Sequence, residues 1–389
     1  MYYLTQMFEC EVCGNKYRLD RGSQLCECNE PLKLEDFFGE IKNDDWVMQR
    51  YREFLPFEVS EDYTLGEGGT PLTKAERISR SSSVDLFLKN ETVNPTWSFK
   101  DRGTVIDLQR AVRIGYDLVS TVSTGNMAAS VSAYCTHVGI DCVVLVPSDI
   151  SDKKLDQISV YAPHIIKVDG DYGDLYYEVQ KNEEIYSSIS NSPFRIEGYK
   201  TISFEIAEEI EPDYVMIPTS SGGLFRGVMK GFTELKKSQL IDEVPTPISV
   251  QAEGCSPIYR AYKNGKKEIE RWSAPETLAE AISNPYPPGG NSVLRLLKRF
   301  DGICEAVSDD EILSAQKDAA REGIFCQPSS AVGVAALKKL REKDEIERGS
   351  KVVAVITGSG LKTDKNPVNS TSMMARSLED IGSTLTKIK

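Results

Sequence analysis

Short apolar runs alternate with amphipathic stretches along most of this chain. Val84 to Lys89, Leu118 to Val122, Cys142 to Val146 and Ile165 to Val168 read as strands. Tyr214 to Ile217 and Val352 to Ile356 are apolar throughout, as strands covered on both faces are. Between these runs Thr104 to Ile114, Met127 to Val138 and the region near Gly227 to Leu235 carry helical patterning. The alternation predicts an α/β fold with parallel sheets. Residues 37–60 predict a helix and connector with Trp46, Tyr51, Phe54 and Leu55 on one apolar face. Leu65 to Leu72 is too rich in glycine for the interior of an element and reads as a loop. The Ser- and Thr-rich end beyond Asn366 is expected to be a docked helix or a loose tail.

Composition narrows the function classes. The 389 residues suffice for two domains and a small module, and 40% hydrophobic with 27% charged residues is ordinary for a soluble protein. A net charge of −13 disfavours nucleic acid and anionic membranes, which both need concentrated Lys and Arg. The start of the chain lacks the basic, apolar pattern of a signal peptide, so a cytoplasmic protein is expected. Cys135, Cys142, Cys255, Cys304 and Cys326 are expected to be reduced and partly buried.

The other four of the nine cysteines, Cys10, Cys13, Cys26 and Cys28, fall within 19 residues. In a cytosolic chain such a set favours a metal over disulfides, and four thiolates suit structural zinc with no open catalytic position. The second pair is one residue tighter than in the usual ribbon, and a metal-free knuckle is the other reading of the same residues. A zinc-ribbon-like module is expected over 1–36.

Four further motifs bear on chemistry. Lys100, in Trp97-Ser98-Phe99-Lys100-Asp101-Arg102-Gly103, is an amine that can form an imine if burial or a nearby cation lowers its pKa. Ser123-Thr124-Gly125-Asn126 lies between a strand and an apolar helix, where backbone amides attract an anion such as a carboxylate. The same residues also make an ordinary helix cap. Ser220-Ser221-Gly222-Gly223-Leu224 follows a strand and has the glycines to close around a phosphate, without the Lys-Ser/Thr pair of a nucleotide loop. Thr357 ends a strand where ligands of open α/β sheets bind, and its hydroxyl can meet a ring nitrogen without protonating it. His137 and His164 fall outside every motif, so no His-based triad is supported.

Together these motifs resemble the fold type II (tryptophan synthase β-like) pyridoxal-phosphate enzymes, and within them the threonine synthases. Gly66 to Leu72, Arg195 to Ile202, Gln251 to Cys255 and Thr357 to Lys362 are similar to segments of that family, and the cysteine module is similar to one in archaeal-type members. The resemblance implies two open, twisted, mostly parallel sheets flanked by helices. It implies pyridoxal 5'-phosphate held by Lys100, Asn126, Ser220 to Leu224 and Thr357, with Lys100 catalytic. It implies the substrate O-phosphohomoserine, its carboxylate at Ser123, Thr124 and Gly125. Arg195 and Lys200 are the first candidates for the substrate phosphate, ahead of Lys153 and Lys154. It further implies a large cofactor-binding part from 37–104 and 201–389, a small mobile part from 105–200, and a homodimer. Trp97, Tyr199, Ser220 and Ser359 stand where the family usually has glycine, glutamine, glycine and histidine. A serine or threonine dehydratase, a β-replacement enzyme and a non-catalytic paralogue are the alternatives. Trp97 in particular is expected to reshape the pocket.

Overall fold

The computed structural model describes residues 7–18, 24–169 and 172–363, and the end beyond Asn366 lies outside them. Three sheets organise the chain. The first is a three-stranded antiparallel ribbon of β1 (Met7–Cys10), β2 (Lys16–Arg18) and β3 (Leu32–Leu34), in the order β2-β1-β3. The second contains β4 (Leu72–Lys74), β5 (Asp85–Asn90), β10 (Tyr214–Pro218), β11 (Thr246–Ala252), β12 (Ile303–Val307) and β13 (Lys351–Ile356). Its order is β12-β11-β10-β13-β5-β4, parallel except for β4 at the edge. The third is all parallel: β6 (Leu118–Val122), β7 (Asp141–Pro147), β8 (His164–Val168) and β9 (Tyr186–Ser187), in the order β8-β7-β6-β9.

The six-stranded sheet buries both faces at its centre, which is why β10 and β13 read as apolar runs. One face of the six-stranded sheet packs Leu86, Leu88, Val352 and Ala354 against the helices Asp309–Arg321 and Pro328–Glu342. The other packs Val215, Ile217, Val353 and Val355 against helices Thr201–Glu209, Gly223–Lys237 and Gly290–Arg299. The four-stranded sheet shares its core with the ribbon: Phe8, Cys10 and Leu34 lie in one cluster with Val119, Val144 and Phe194. No helix among the described residues is long and apolar enough to cross a membrane.

Two elements differ from expectation. Residues 37–60 form only one helical turn, Val47–Arg50, and a 3-10 turn, Arg52–Phe54. Pro56 biases Leu55 away from helical backbone, and Leu55 is extended at ψ 152°. The segment is instead held by burial of Tyr51 and Phe54, whose rings pack on Phe204. The second difference matters for the site. The helix expected from Thr104 begins at Lys100 and runs to Arg113. It lies backbone to backbone against the helix Pro193–Tyr199: a Cβ on Gly198 would sit 1.9 Å from the Arg102 carbonyl oxygen, and one on Gly103 would sit 2.5 Å from the Tyr199 ring.

Candidate active site

Parallel sheets bring strand ends to one edge, and there the loops converge. Val122 ends β6, Pro218 ends β10 and Ile356 ends β13, so Ser123 to Asn126, Ser220 to Gly223 and Thr357 border one cleft of about 1070 Å³. Lys100 lines it too. The opposite wall is the segment that includes Trp272, Ser283 and Tyr286.

The Lys100 loop is tied to the end of β13. Phe99 N donates to Thr357 O at 3.0 Å, Ser359 N to Trp97 O at 3.0 Å, and Lys362 Nζ to Thr96 O at 2.7 Å. Asp101 caps the turn by accepting from Thr96 N at 2.7 Å and Thr96 Oγ1 at 2.5 Å. Lys100 Nζ lies over the Phe99 ring, 4.5 Å from its centroid, and 5.8 Å from that of Tyr199. Burial, with the nearby Arg195 charge, brings the amine down to about 7, where an appreciable fraction is neutral.

Trp97 has φ +64°, a left-handed conformation that glycine adopts freely. This explains why glycine suits the position. The ring is 50% exposed and does not line the cleft, so the expected reshaping of the pocket is not seen. Tyr199 lies behind Lys100, its ring 4.9 Å from that of Phe99.

The cleft residues fit the pyridoxal-phosphate cofactor. Asn126 Nδ2 donates to Gln327 Oε1 at 2.8 Å, and its buried Oδ1 has no hydrogen-bond partner. Such an orphaned amide at a cleft wall is placed for a polar ligand. Thr357 Oγ1 lies 2.8 Å from Ser330 Oγ, and Ser330 also receives Gly358 N at 2.9 Å. Ser220 to Gly223 leads into the 15-residue helix Gly223–Lys237, whose amino-terminal amides favour a phosphate. Gly222 has φ +94°, and a Cβ there would meet Gly289 O at 2.9 Å, so the turn needs glycine on both counts.

Two expected substrate residues lie elsewhere. Lys200 is buried with Glu197 and Glu234 in an ion network that also takes in Lys230, and it does not line the cleft. Arg195 is buried behind Lys100, donating to Ser188 Oγ at 2.8 Å and Thr104 Oγ1 at 3.1 Å, with Asp107 at 3.4 Å. Neither side chain meets the cleft, because each is consumed by buried partners. The lesser candidate Lys154 does line it, as do Arg271 and Lys362. The side chain of Lys153 lies outside the described residues. Gln327 and Ser330 are site residues the sequence reading missed. Their signal was the polar Gln327-Pro328-Ser329-Ser330 at a helix start, a pattern shared with ordinary caps. His137 and His164 are exposed and outside the lining.

The four amino-terminal cysteines form one cluster with sulfurs within 4.8 Å of one another. Neighbouring Sγ atoms are 3.4, 3.6 and 3.7 Å apart. A tetrahedral zinc with bonds of about 2.3 Å separates its sulfurs by about 3.8 Å, so the donor set fits that ion. The remaining five cysteines are free and buried.

Residues 63–358 match the family model described as pyridoxal-phosphate dependent enzyme. The threonine synthase of Methanocaldococcus jannaschii is 38% identical over 372 residues, covering 91% of this chain and 92% of the relative. That of Mycobacterium tuberculosis is 38% identical over 327 residues, covering 81% and 88%. Among solved structures, maize serine racemase superposes with a TM-score of 0.68 at 21% identity, covering 90% of this chain and 98% of that one. At that identity the likeness is one of fold.

Proposed function

The chain belongs to the threonine synthases, within the pyridoxal-phosphate-dependent enzymes, and from that premise we propose that it converts O-phosphohomoserine and water to L-threonine and phosphate. The observation that carries the reading is the meeting of Lys100, Asn126, Thr357 and the Ser220 to Gly223 loop on one cleft.

When bound, the cofactor supplies an electron sink for negative charge at the substrate carbons. The chain's residues do the rest. Lys100 would hold the aldehyde end of the cofactor, Asn126 its phenolic oxygen, and Ser220 to Leu224 its phosphate. Thr357, backed by Ser330, would give the ring nitrogen a hydroxyl instead of a carboxylate, which would keep the sink mild. Ser123, Thr124 and Gly125 receive the substrate carboxylate at the start of the helix Asn126–Val138. The Lys100 amine, poised near neutrality, is suited to moving protons at the α, β and γ carbons of the substrate. Phosphate departs from Cγ and water adds at Cβ.

A phosphorylated substrate needs a second anion site. Lys154 and Lys362 provide it from the cleft wall, with Arg195 adding its charge from behind Lys100. Burial lowers Lys362 to about 8, and an arriving phosphate favours its charged form. Lys200 stays within its own network. A cytoplasmic homodimer completes the reading.

The test is phosphate release from O-phosphohomoserine against keto-acid release from threonine. Phosphate release that Lys100→Ala abolishes supports the proposal. Keto-acid release alone would make the protein a dehydratase. Losing one charge-assisted phosphate contact costs roughly 1.5–3 kcal/mol, so Lys154→Ala and Lys362→Ala should each lower kcat/KM for O-phosphohomoserine about 10- to 150-fold. The loss on a substrate without phosphate should be much smaller.

A further inference from the structure

The metal module is wired to the cleft. Each cysteine pair has a carboxylate beside it that reaches toward the Ser220 to Gly223 loop. Glu11, inside the Cys10–Cys13 turn, accepts from Arg226 Nε at 2.7 Å, and Glu30, two residues past Cys28, accepts from Asn291 Nδ2 at 2.5 Å. Arg226 is buried on the first turn of the helix Gly223–Lys237. It also donates to Leu32 O in the module at 2.9 Å and to Asn191 Oδ1 at 3.2 Å. Asn191 in turn donates from Nδ2 to Ser221 O at 2.7 Å. The second path ends on the same atom: Asn291 lies two residues past Gly289, whose N donates to Ser221 O at 2.9 Å.

The packing leaves this assembly no slack. A Cβ on Gly289 would meet Asn191 Oδ1 at 2.7 Å and Ser221 O at 2.8 Å, and one on Gly223 would meet Ser190 O at 2.5 Å. A shift of Arg226 or Asn191 therefore moves the loop that carries the amides of Gly222 and Gly223.

We propose that Arg226 is a positioning residue through which metal in the cysteine module sets the affinity for the phosphorylated cofactor. The inference rests on the reading of Ser220 to Leu224 as the cofactor-phosphate loop. A bound metal fixes the Cys10–Cys13 turn and so fixes where Glu11 stands. With the turn released, Glu11 no longer holds the Arg226 guanidinium, Asn191 loses its fixed partner, and the loop no longer presents one set of amides to a phosphate. The effect belongs to the phosphate end alone, because Lys100, Asn126 and Thr357 have no part in these paths.

The experiment titrates full-length apoprotein with pyridoxal 5'-phosphate and, separately, with pyridoxal, followed by absorbance. It compares zinc-loaded and chelator-treated protein, each as wild type and as Arg226→Met. Chelation and Arg226→Met should each weaken pyridoxal 5'-phosphate binding about 10-fold or more, a charge-assisted contact's worth. Pyridoxal binding should change far less, and chelation should add little to Arg226→Met. Glu11→Gln, a gentler change, should give a smaller loss of the same kind while metal analysis still finds about one zinc per chain. Equal losses on the two ligands, or an affinity for the phosphorylated one that ignores chelation, would overturn the proposal. Ser221→Asp tests the underlying reading separately: if it leaves pyridoxal 5'-phosphate affinity unchanged, the loop does not hold that phosphate.

Discussion

Lys100 is costly to the empty protein. Its amine lies near 7 in the fold and near its ordinary 10.5 once unfolded, so between those values the unfolded chain binds more protons. Stability therefore rises with pH across that window, and at pH 7 the buried amine is a net burden. Lys100→Met should stabilise the apoprotein at pH 7 by on the order of 2 kcal/mol, a gain that fades as pH approaches 10. Denaturant melts of both proteins at several pH values check this, and a gain independent of pH would refute the account. Trp97 carries strain of another kind. A non-glycine residue in left-handed backbone costs about 1 kcal/mol or more. Trp97→Gly should therefore be more stable than Trp97→Ala by about 1 kcal/mol in the same assay, since alanine keeps the strain and loses the ring. At this scale the convergence of Lys100, Asn126 and Thr357 on one cleft was legible because each stands at a strand end or helix start in a recognisable run. Arg195 and Lys200 were misplaced because a sequence does not show which cations its own carboxylates consume.

The helix Lys100–Arg113 is fixed by a buried ion cluster. Arg102 Nε meets Glu91 at 2.7 Å, Arg102 Nη1 meets Glu205 at 2.5 Å, and Lys89 Nζ meets Glu205 at 2.6 Å. Burial opposes ionisation of Glu205, but the Arg102 and Lys89 charges prevail and hold its carboxyl down at about 2. Its contribution is thus complete above the ordinary carboxylate range and is lost as pH falls toward 2. Arg102→Met leaves two carboxylates facing each other, and the expected loss is about 3–5 kcal/mol at pH 7. Urea unfolding measures it, and a loss below about 1 kcal/mol would mean that the cluster does not clamp the helix. Buried polar groups also explain which strands the pattern hid. β11 carries Ser249 and Gln251 in the core, bonded to Thr219, and β12 carries buried Glu305. These interrupt the apolar runs that made β10 and β13 visible. Residues 37–60 erred the other way, since an apolar face can be buried without a helix to present it.

Across the molecule, the cleft is bridged at its rim by Lys154 Nζ and Glu280 Oε2, 2.6 Å apart, joining the side of the four-stranded sheet to the opposite wall. Glu280 is exposed and Lys154 partly so, which leaves the pair screened by water and adding little stability. It competes, however, with any phosphate that Lys154 is to receive. Glu280→Gln should leave the melting temperature nearly unchanged and lower KM for O-phosphohomoserine, and an unchanged KM would remove Lys154 from the substrate site. The overall α/β plan was readable from strand and helix alternation, whereas the approach of the helices Lys100–Arg113 and Pro193–Tyr199 through Gly103 and Gly198 had no signal in the pattern. That approach governs what the chain can tolerate in evolution. At position 198 any side chain collides with the Arg102 backbone, so a saturation library screened for folding should return glycine alone. At position 97 the backbone also favours glycine, yet the side chain points to open water, and tryptophan is accommodated at a fixed conformational cost. The first position is closed to drift and the second is open to it, although both favour the same residue.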